Sequence, residues 1–268
     1  MIKLVATDID GTILIPEGDF TSDVKSCLKK LEENNIKVVL VTGRMNAAAQ
    51  LIAQELGLQT PVVSYQGGLI KEGNNTLYER YLTTEQAESI IKWAKEENIH
   101  LNLYNNDVLY SQMDDSEIQR YCNNQHTNYV IKPFSEIKKD KVNKVLAIDY
   151  NSPERIDRLE KELPKIFPEL YIIKSTPYFL EFSNVEASKY CAVKFLQKYW
   201  NLKDEEILTI GDQNNDIALL EAGGIKVAMG NATYRLKEIA DYITDTVQNN
   251  GFVKAMDKYC FSDTNACI

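Results

Sequence analysis

Lys3-Leu4-Val5-Ala6-Thr7-Asp8-Ile9-Asp10-Gly11-Thr12 opens the chain with a short apolar run that stops on two carboxylates one residue apart. The run reads as a buried strand. Two acidic side chains at its mouth are costly to hold there unless a cation or a reacting group uses them. The pair therefore asks for a metal, a nucleophile, or both.

Outward from this strand the same grammar repeats. A helix over about Ser22 to Asn34 sets Val24, Leu28 and Leu31 on one face. Lys37-Val38-Val39-Leu40-Val41 is a continuous apolar run of the kind buried on both faces, and it ends at Thr42-Gly43-Arg44. A helix over about Ala47 to Leu56 leads through Gly57 to strand Pro61-Val62-Val63-Ser64 and the turn Gln66-Gly67-Gly68. Near the other end come a helix around Ser188 to Tyr199, strand Ile207 to Ile210, the loop Gly211-Asp212, a helix over about Asp216 to Ala222, strand Lys226 to Met229, and Tyr242-Ile243-Thr244. Strands alternating with amphipathic helices give an α/β fold, a parallel sheet with helices on both faces. Residues 1–82 and 184–268 form its two halves.

Between them, over residues 83–183, the texture changes. Leu101-Asn102-Leu103-Tyr104, Val108-Leu109-Tyr110, Lys144 to Ile148 and Tyr178 to Phe182 are short alternating segments joined by tight polar turns such as Asn105-Asn106-Asp107. They predict an inserted α+β module built on an antiparallel sheet, with helices on one side.

Composition narrows the function. The 268 residues carry a formal net charge of −9, against the basic face that nucleic-acid binding requires. No apolar run reaches the ~20 residues of a membrane span, and Met1-Ile2-Lys3 runs straight into a strand, so a cytoplasmic location with no membrane partner is expected. Five scattered cysteines (Cys27, Cys122, Cys191, Cys260, Cys267) contain no Cys-x-x-Cys pair and read as free thiols. His100 and His126 fall in the insertion, where structural roles are expected.

In an open parallel sheet, ligands collect at the carboxyl ends of the strands. The polar residues sit there: Asp8 and Asp10 after the first strand, Thr42 after the second, and Asp212 followed by Gln213-Asn214-Asn215-Asp216 after a later one. Carboxylates gathered without cysteine or histidine suit magnesium. A calcium loop starting at Asp8 is disfavoured, since its sixth position is Ile13, its twelfth is Asp19, and a strand precedes it. Taken alone, Thr42 reads as a turn residue, Lys189 as a surface lysine and Asp216 as a helix-start acid.

In series, these motifs resemble the haloacid-dehalogenase-like hydrolases, and within them the Cof-type phosphatases. The pattern is Asp-x-Asp-x-Thr after strand 1, Thr or Ser after strand 2, a later Lys, and Gly-Asp-x-x-Asn-Asp. Here it is met by Asp8, Asp10 and Thr12, by Thr42, by Lys189, and by Gly211-Asp212-Gln213-Asn214-Asn215-Asp216. The resemblance implies a Rossmann-like core with an inserted cap domain, and a magnesium-dependent phosphatase acting on a small phosphorylated metabolite. Asp8 would be nucleophile and metal ligand. Asp10 would be acid/base, its proton affinity raised by the neighbouring carboxylate, and would lend its backbone carbonyl to the metal, with Asp212 as the third ligand. Thr42, the amides of Ile9 and Gly43, Lys189 and Asn215 would bind phosphate, with Thr12 and Asp216 supporting the cluster from behind. The implied cap would read the leaving group; Tyr104, Asn105, Asn106, Asp107 and Tyr110 are candidates for that face, although each one taken singly reads first as part of a solvated hairpin. A phosphomutase or a non-catalytic phosphometabolite sensor would share the motifs.

Overall fold

Strand β1 (Leu4–Thr7) occupies an interior position of a five-stranded parallel sheet, and the rest of the chain is wound around and above it. The computed structural model describes residues 1–16, 18–125 and 127–262. The remaining elements in chain order are α1 (Ser22–Glu33), β2 (Lys37–Leu40), α2 (Asn46–Glu55), β3 (Val62–Ser64), β4 (Leu69–Glu72), β5 (Asn75–Glu79), α3 (Thr84–Glu97), β6 (His100–Asn105), β7 (Val108–Ser111), α4 (Ser116–Gln125), β8 (Val130–Ile131), β9 (Val142–Ile148), α5 (Pro153–Ile166), β10 (Leu170–Thr176), β11 (Phe179–Asn184), α6 (Lys189–Tyr199), β12 (Ile207–Gly211), α7 (Ile217–Leu220), β13 (Ile225–Ala228), α8 (Tyr234–Ile239), β14 (Tyr242–Ile243) and α9 (Gly251–Met256).

The parallel sheet has the order β14-β13-β12-β1-β2, so strands from the two ends of the chain share it. Alternation along β1 sends its side chains to two cores. Val5 packs with Val24, Leu28 and Leu31 of α1 and Phe252 and Ala255 of α9, whereas Leu4 and Ala6 pack with Ala192, Val193 and Leu196 of α6. Both faces are thereby covered, as parallel strands require. Register matters most for the site. Thr7 is level with Leu40 of β2 and with Ile210 of β12, so the residues leaving these strands emerge at one height.

Among the described residues the third run, β3, meets the parallel sheet through a single bridge, between Val41 and Val63. Its main partner is β4, in an antiparallel sheet of order β3-β4-β5 whose last two strands the sequence pattern did not reveal.

The second large sheet has the order β10-β11-β9-β6-β7-β8. It is antiparallel apart from the β7–β8 pair, which is parallel, and β10 was not anticipated. Helices lie on both of its faces, which corrects the expectation of one side. Leu101, Leu103, Val145 and Ala147 pack with Ala87 and Ile90 of α3 and Ile156 and Leu159 of α5. The alternate residues Tyr104, Leu146 and Ile148 pack instead with Ile118 and Tyr121 of α4, and with Tyr65 and Leu69 from the other part of the chain. Apolar residues at adjacent positions of β9 dictate this, because each face must be covered.

The chain crosses between the two parts twice, and the crossings lie side by side. Asn184 Nδ2 donates to the Tyr81 carbonyl at 3.0 Å, the Tyr78 hydroxyl donates to the Glu186 carbonyl at 2.9 Å, and Arg80 pairs with Glu186. His100 is held inside the second sheet by Asp115 Oδ2 at 2.8 Å and Asn102 Oδ1 at 2.9 Å. His126 and Cys267 lie outside the described residues, and the other four cysteines are free. Among the described residues, no helix is long and apolar enough to cross a membrane.

Candidate active site

Because the strands end level, Asp8, Thr42 and Asp212 leave the sheet together. All three are buried, and Asp216 and Lys189 are buried with them. Oxygens of Asp8, Asp212 and Asp216 lie within 4.8 Å of one another. Lys189 joins two of them, its Nζ donating to Asp8 Oδ1 and to Asp216 Oδ1, each at 2.6 Å. As the first residue of α6, Lys189 stands at the positive end of the helix dipole, where a cation is disfavoured. The two carboxylates compensate for that position. Burial works against its charge, but Asp216 and Asp8 outweigh it and hold the ammonium above its ordinary range.

Asp216 is occupied on both oxygens. Its Oδ2 accepts the backbone amides of Asp212 at 2.9 Å and Gln213 at 3.0 Å, so it orders the loop after β12. Gly211 is required there, since a Cβ would lie 2.6 Å from the Asp216 carboxyl carbon. Asp212 is steadied by Gln213 Nε2 at 2.9 Å, by Asn231 Nδ2 at 3.3 Å and by Thr12 Oγ1 at 3.4 Å. Gly11, at φ +77°, passes so close that a Cβ would lie 2.5 Å from Asp212 Oδ2.

Among the described residues one cation, Lys189, is bonded within this cluster of three buried carboxylates, which falls short by two positive charges when all three are ionised. Burial first and Asp216 second push the Asp8 carboxyl well above the usual carboxylate range, with Lys189 pulling it back. The same two causes push Asp212 up to about 7. A divalent cation fits this deficit in charge and in donor type, since oxygens alone are offered. Asp8 Oδ2 and the Asp212 carboxylate would hold it, while Asp216 is already saturated.

Asp10 stands apart from the cluster, with its side chain 53% exposed. Arg44 grips it by both oxygens, Nε to Oδ2 at 2.9 Å and Nη2 to Oδ1 at 2.5 Å. Its neighbour is therefore a guanidinium, and the expected charge contact with a second carboxylate is not its principal one. Thr42 accepts the Arg44 amide at 3.1 Å and shapes that turn. Among the described residues the amides of Ile9 and Gly43 have no acceptor in the protein, so they stay available to an anion.

Above these strand ends lies a cavity of about 220 Å³, walled on one side by Asp8, Asp10, Thr42, Gly43 and Asn215. The second sheet supplies the other wall: Tyr121 and Gln125 of α4, Lys144 and Leu146 of β9, Ser175 and Thr176 of β10, Phe179 and Glu181 of β11. Tyr104, Asn105, Asn106, Asp107 and Tyr110 do not line it, which corrects the expected leaving-group face. Tyr104 touches it only indirectly, through a 2.5 Å bond to the Tyr121 hydroxyl.

Sequence reasoning missed a buried polar chain that ties the two walls. Lys144 Nζ donates to Glu181 Oε2 at 2.7 Å and to the Gly43 carbonyl at 2.8 Å. Gln66 Nε2 donates to Glu181 Oε1 at 3.0 Å, and Asn215 Nδ2 donates to Gln66 Oε1 at 3.2 Å. Asn215 Oδ1 has no partner among the described residues. Lys144, followed in its strand by Val145-Leu146-Ala147-Ile148, and Glu181, set between Leu180 and Phe182, were the available signal.

Comparison with known proteins places this geometry. Residues 5–256 match the family described as haloacid dehalogenase-like hydrolase. The Streptococcus pyogenes protein M6_Spy0533 is 30% identical over 274 residues, covering 96% of this chain and 98% of that protein. The 5-amino-6-(5-phospho-D-ribitylamino)uracil phosphatase YcsE of Bacillus subtilis is 28% identical, covering 95% of this chain and 94% of its own. Among solved structures, TM0651 of Thermotoga maritima superposes with a TM-score of 0.83 at 30% identity, covering 96% of this chain and 97% of that one. The chain belongs to the haloacid dehalogenase-like hydrolases.

Proposed function

We propose that this hydrolase is a magnesium-dependent phosphatase that cleaves a small phosphorylated metabolite, a phosphosugar or a similar phosphomonoester, through an aspartyl-phosphate on Asp8. The observation that carries the reading is the placement of Asp8. One of its oxygens is fixed by Lys189, and the carboxylate opens into a cavity that also holds Asp10, Thr42 and Gly43.

Asp8 forms the bond to phosphorus as the bond to the leaving oxygen breaks, so that two easier displacements replace one difficult step. Asp10 gives the leaving oxygen a proton, then takes one from the water that cleaves the acyl phosphate. A phosphoryl oxygen drawn to Arg44 competes for the guanidinium and loosens its hold on Asp10. Thr42, Lys189 and the amides of Ile9 and Gly43 stabilise the charge that spreads over the phosphoryl oxygens, with Asn215 beside them. Asp8, Asp212 and the carbonyl of Asp10 would hold magnesium, which would supply positive charge to offset that of the phosphoryl group. Thr12 and Asp216 keep Asp212 in place.

The inserted part, residues 83–183, acts as a cap that limits water and receives the leaving group. Its charged groups at the cavity, Lys144 and Glu181, neutralise each other at 2.7 Å. The hydroxyls of Tyr121, Ser175 and Thr176 remain, which suits an uncharged, hydroxyl-rich leaving group over one with a second phosphate. The relative YcsE is named for a substrate whose phosphate sits on a group of this kind, a ribityl chain attached to an aminouracil.

The test is phosphate release from a panel of sugar and polyol monophosphates, bisphosphates and nucleotides, with magnesium and with chelator. Magnesium-dependent release favouring the monophosphates is expected. Return of the phosphoryl group to the sugar would make the chain a mutase, and tight binding without turnover would make it a sensor.

A further inference from the structure

The turn between β6 and β7 breaks a local rule. Its central residues, Asn106 and Asp107, have φ of 52° and 61° and join Asn105 to Val108, which pair across the hairpin. Two-residue loops with both φ positive favour Asn-Gly, so an aspartate in the second place sacrifices backbone ease. Departures of this sort tend to mark function.

The Asp107 carboxylate crosses from the second sheet to the parallel-sheet part. Its Oδ1 accepts the Asn46 amide at 3.0 Å and the Tyr65 hydroxyl at 2.5 Å, and its Oδ2 accepts the Ala47 amide at 3.0 Å. These amides open α2. The residue at that helix's own cap position, Met45, makes no side-chain cap. Donors that a helix ordinarily satisfies from its adjacent residue are here satisfied across the molecule. From its own side the turn is anchored by Asn106 N to the Lys141 carbonyl at 2.9 Å and by Asp107 N to Asn143 Oδ1 at 3.3 Å. Burial first, then Asp107, push the Tyr65 hydroxyl well above its ordinary range, which keeps it a donor. Helix α2 follows Thr42-Gly43-Arg44 directly, and Arg44 holds Asp10.

We infer that Asp107 is a positioning residue: by capping α2 from the second sheet, it makes seating of that sheet and placement of the Thr42–Arg44 loop a single event. The phosphate-binding end of the site is then complete only with the roof in place. The inference rests on the phosphatase reading, and its exchange and binding readouts do not need turnover.

Asp107→Gly restores the residue the turn prefers while deleting the carboxylate, and Asp107→Asn keeps the turn and one acceptor. Amide hydrogen exchange should speed up in the first turn of α2 in the glycine variant, with β6 and β7 as protected as before. Affinity for inorganic phosphate with magnesium, measured by calorimetry, should fall by roughly two- to thirtyfold, the range a lost helix cap spans. KM for 4-nitrophenyl phosphate should rise by a similar factor with kcat held within about twofold, because a smaller competent fraction weakens apparent binding. Asp107→Asn and Tyr65→Phe should show smaller shifts in the same direction. Unchanged exchange in α2, or faster exchange with unchanged phosphate affinity and KM, overturns the inference. Absence of turnover in the parent protein would sink the phosphatase reading and leave phosphate affinity to decide this one.

Discussion

The two walls of the cavity are built on opposite electrostatic principles. The wall of strand ends concentrates like charge: Asp8, Asp212 and Asp216 are buried together, and among the described residues Lys189 is the one cation paired with them. The wall from the second sheet cancels charge, pairing Lys144 with Glu181 and leaving hydroxyls and a phenyl ring to face the ligand. An unbalanced wall holds energy that a cation and a phosphoryl group can draw on, and a balanced one discriminates by shape and hydrogen bonding. In the proposed reaction, chemistry belongs to the first and selection to the second.

The most severe way to break this comparison is to remove the proposed nucleophile. Asp8→Asn should lower kcat by roughly 10⁴-fold or more while circular dichroism and the melting transition show an intact fold. Substantial residual turnover would remove Asp8 from that role. Asp10→Asn should cost ~10²–10⁴-fold. The loss should be smaller for an aryl phosphate than for a sugar phosphate, because a good leaving group needs no proton; equal losses would argue against Asp10 as the acid.

The balanced wall should answer through stability and substrate choice. Lys144→Met or Glu181→Leu alone strands a buried charge and should destabilise by ~3–5 kcal/mol in denaturant titrations. The double variant should recover most of that, and it should change the ranking of substrates more than the rate with 4-nitrophenyl phosphate. A double variant as unstable as the singles would show that the pair does not act as a unit.

The smallest effect sharpens the unbalanced wall. Burial and Asp216 push Asp212 up to about 7. From about pH 4, where the unfolded carboxyl ionises, to about 7, the folded chain keeps a proton that the unfolded chain has lost. Stability of the metal-free protein should therefore fall as pH rises through that window, by a few degrees in melting temperature. Magnesium, which favours the ionised carboxylates, should flatten the slope. A metal-free protein that gains stability over the same range would contradict the charge deficit.

The unbalanced wall was legible in the sequence because its geometry is local. Asp8, Asp10, Thr42 and Asp212 each follow a strand by one or a few residues, and a parallel sheet delivers strand ends to one place. Lys189 and Asp216 begin or precede helices at the same edge. The balanced wall was not legible. Lys144 reaches Gly43 across 101 residues of chain and Gln66 reaches Glu181 across 115, distances over which no pattern in either segment names its partner. Arg44 stood in plain view beside Thr42, yet its grip on Asp10 depends on where two loops meet. Strand β10 escaped because its residues are mostly half-buried, which blurs the alternation that marked its neighbours. Asp107 was legible only as a turn residue, read as a solvated hairpin or as a face toward the ligand, whereas it faces a helix.

The two crossings between the sheets, tied where Asn184 meets Tyr81 and Glu186 meets Tyr78 and Arg80, give the molecule the anatomy of a graft. A segment whose entry and exit are stitched at one point can be lengthened, shortened or exchanged for another without cutting the strands that carry the carboxylates. A replacement would still have to supply what Lys144, Glu181 and Asp107 give to Gly43, Gln66 and the first turn of α2.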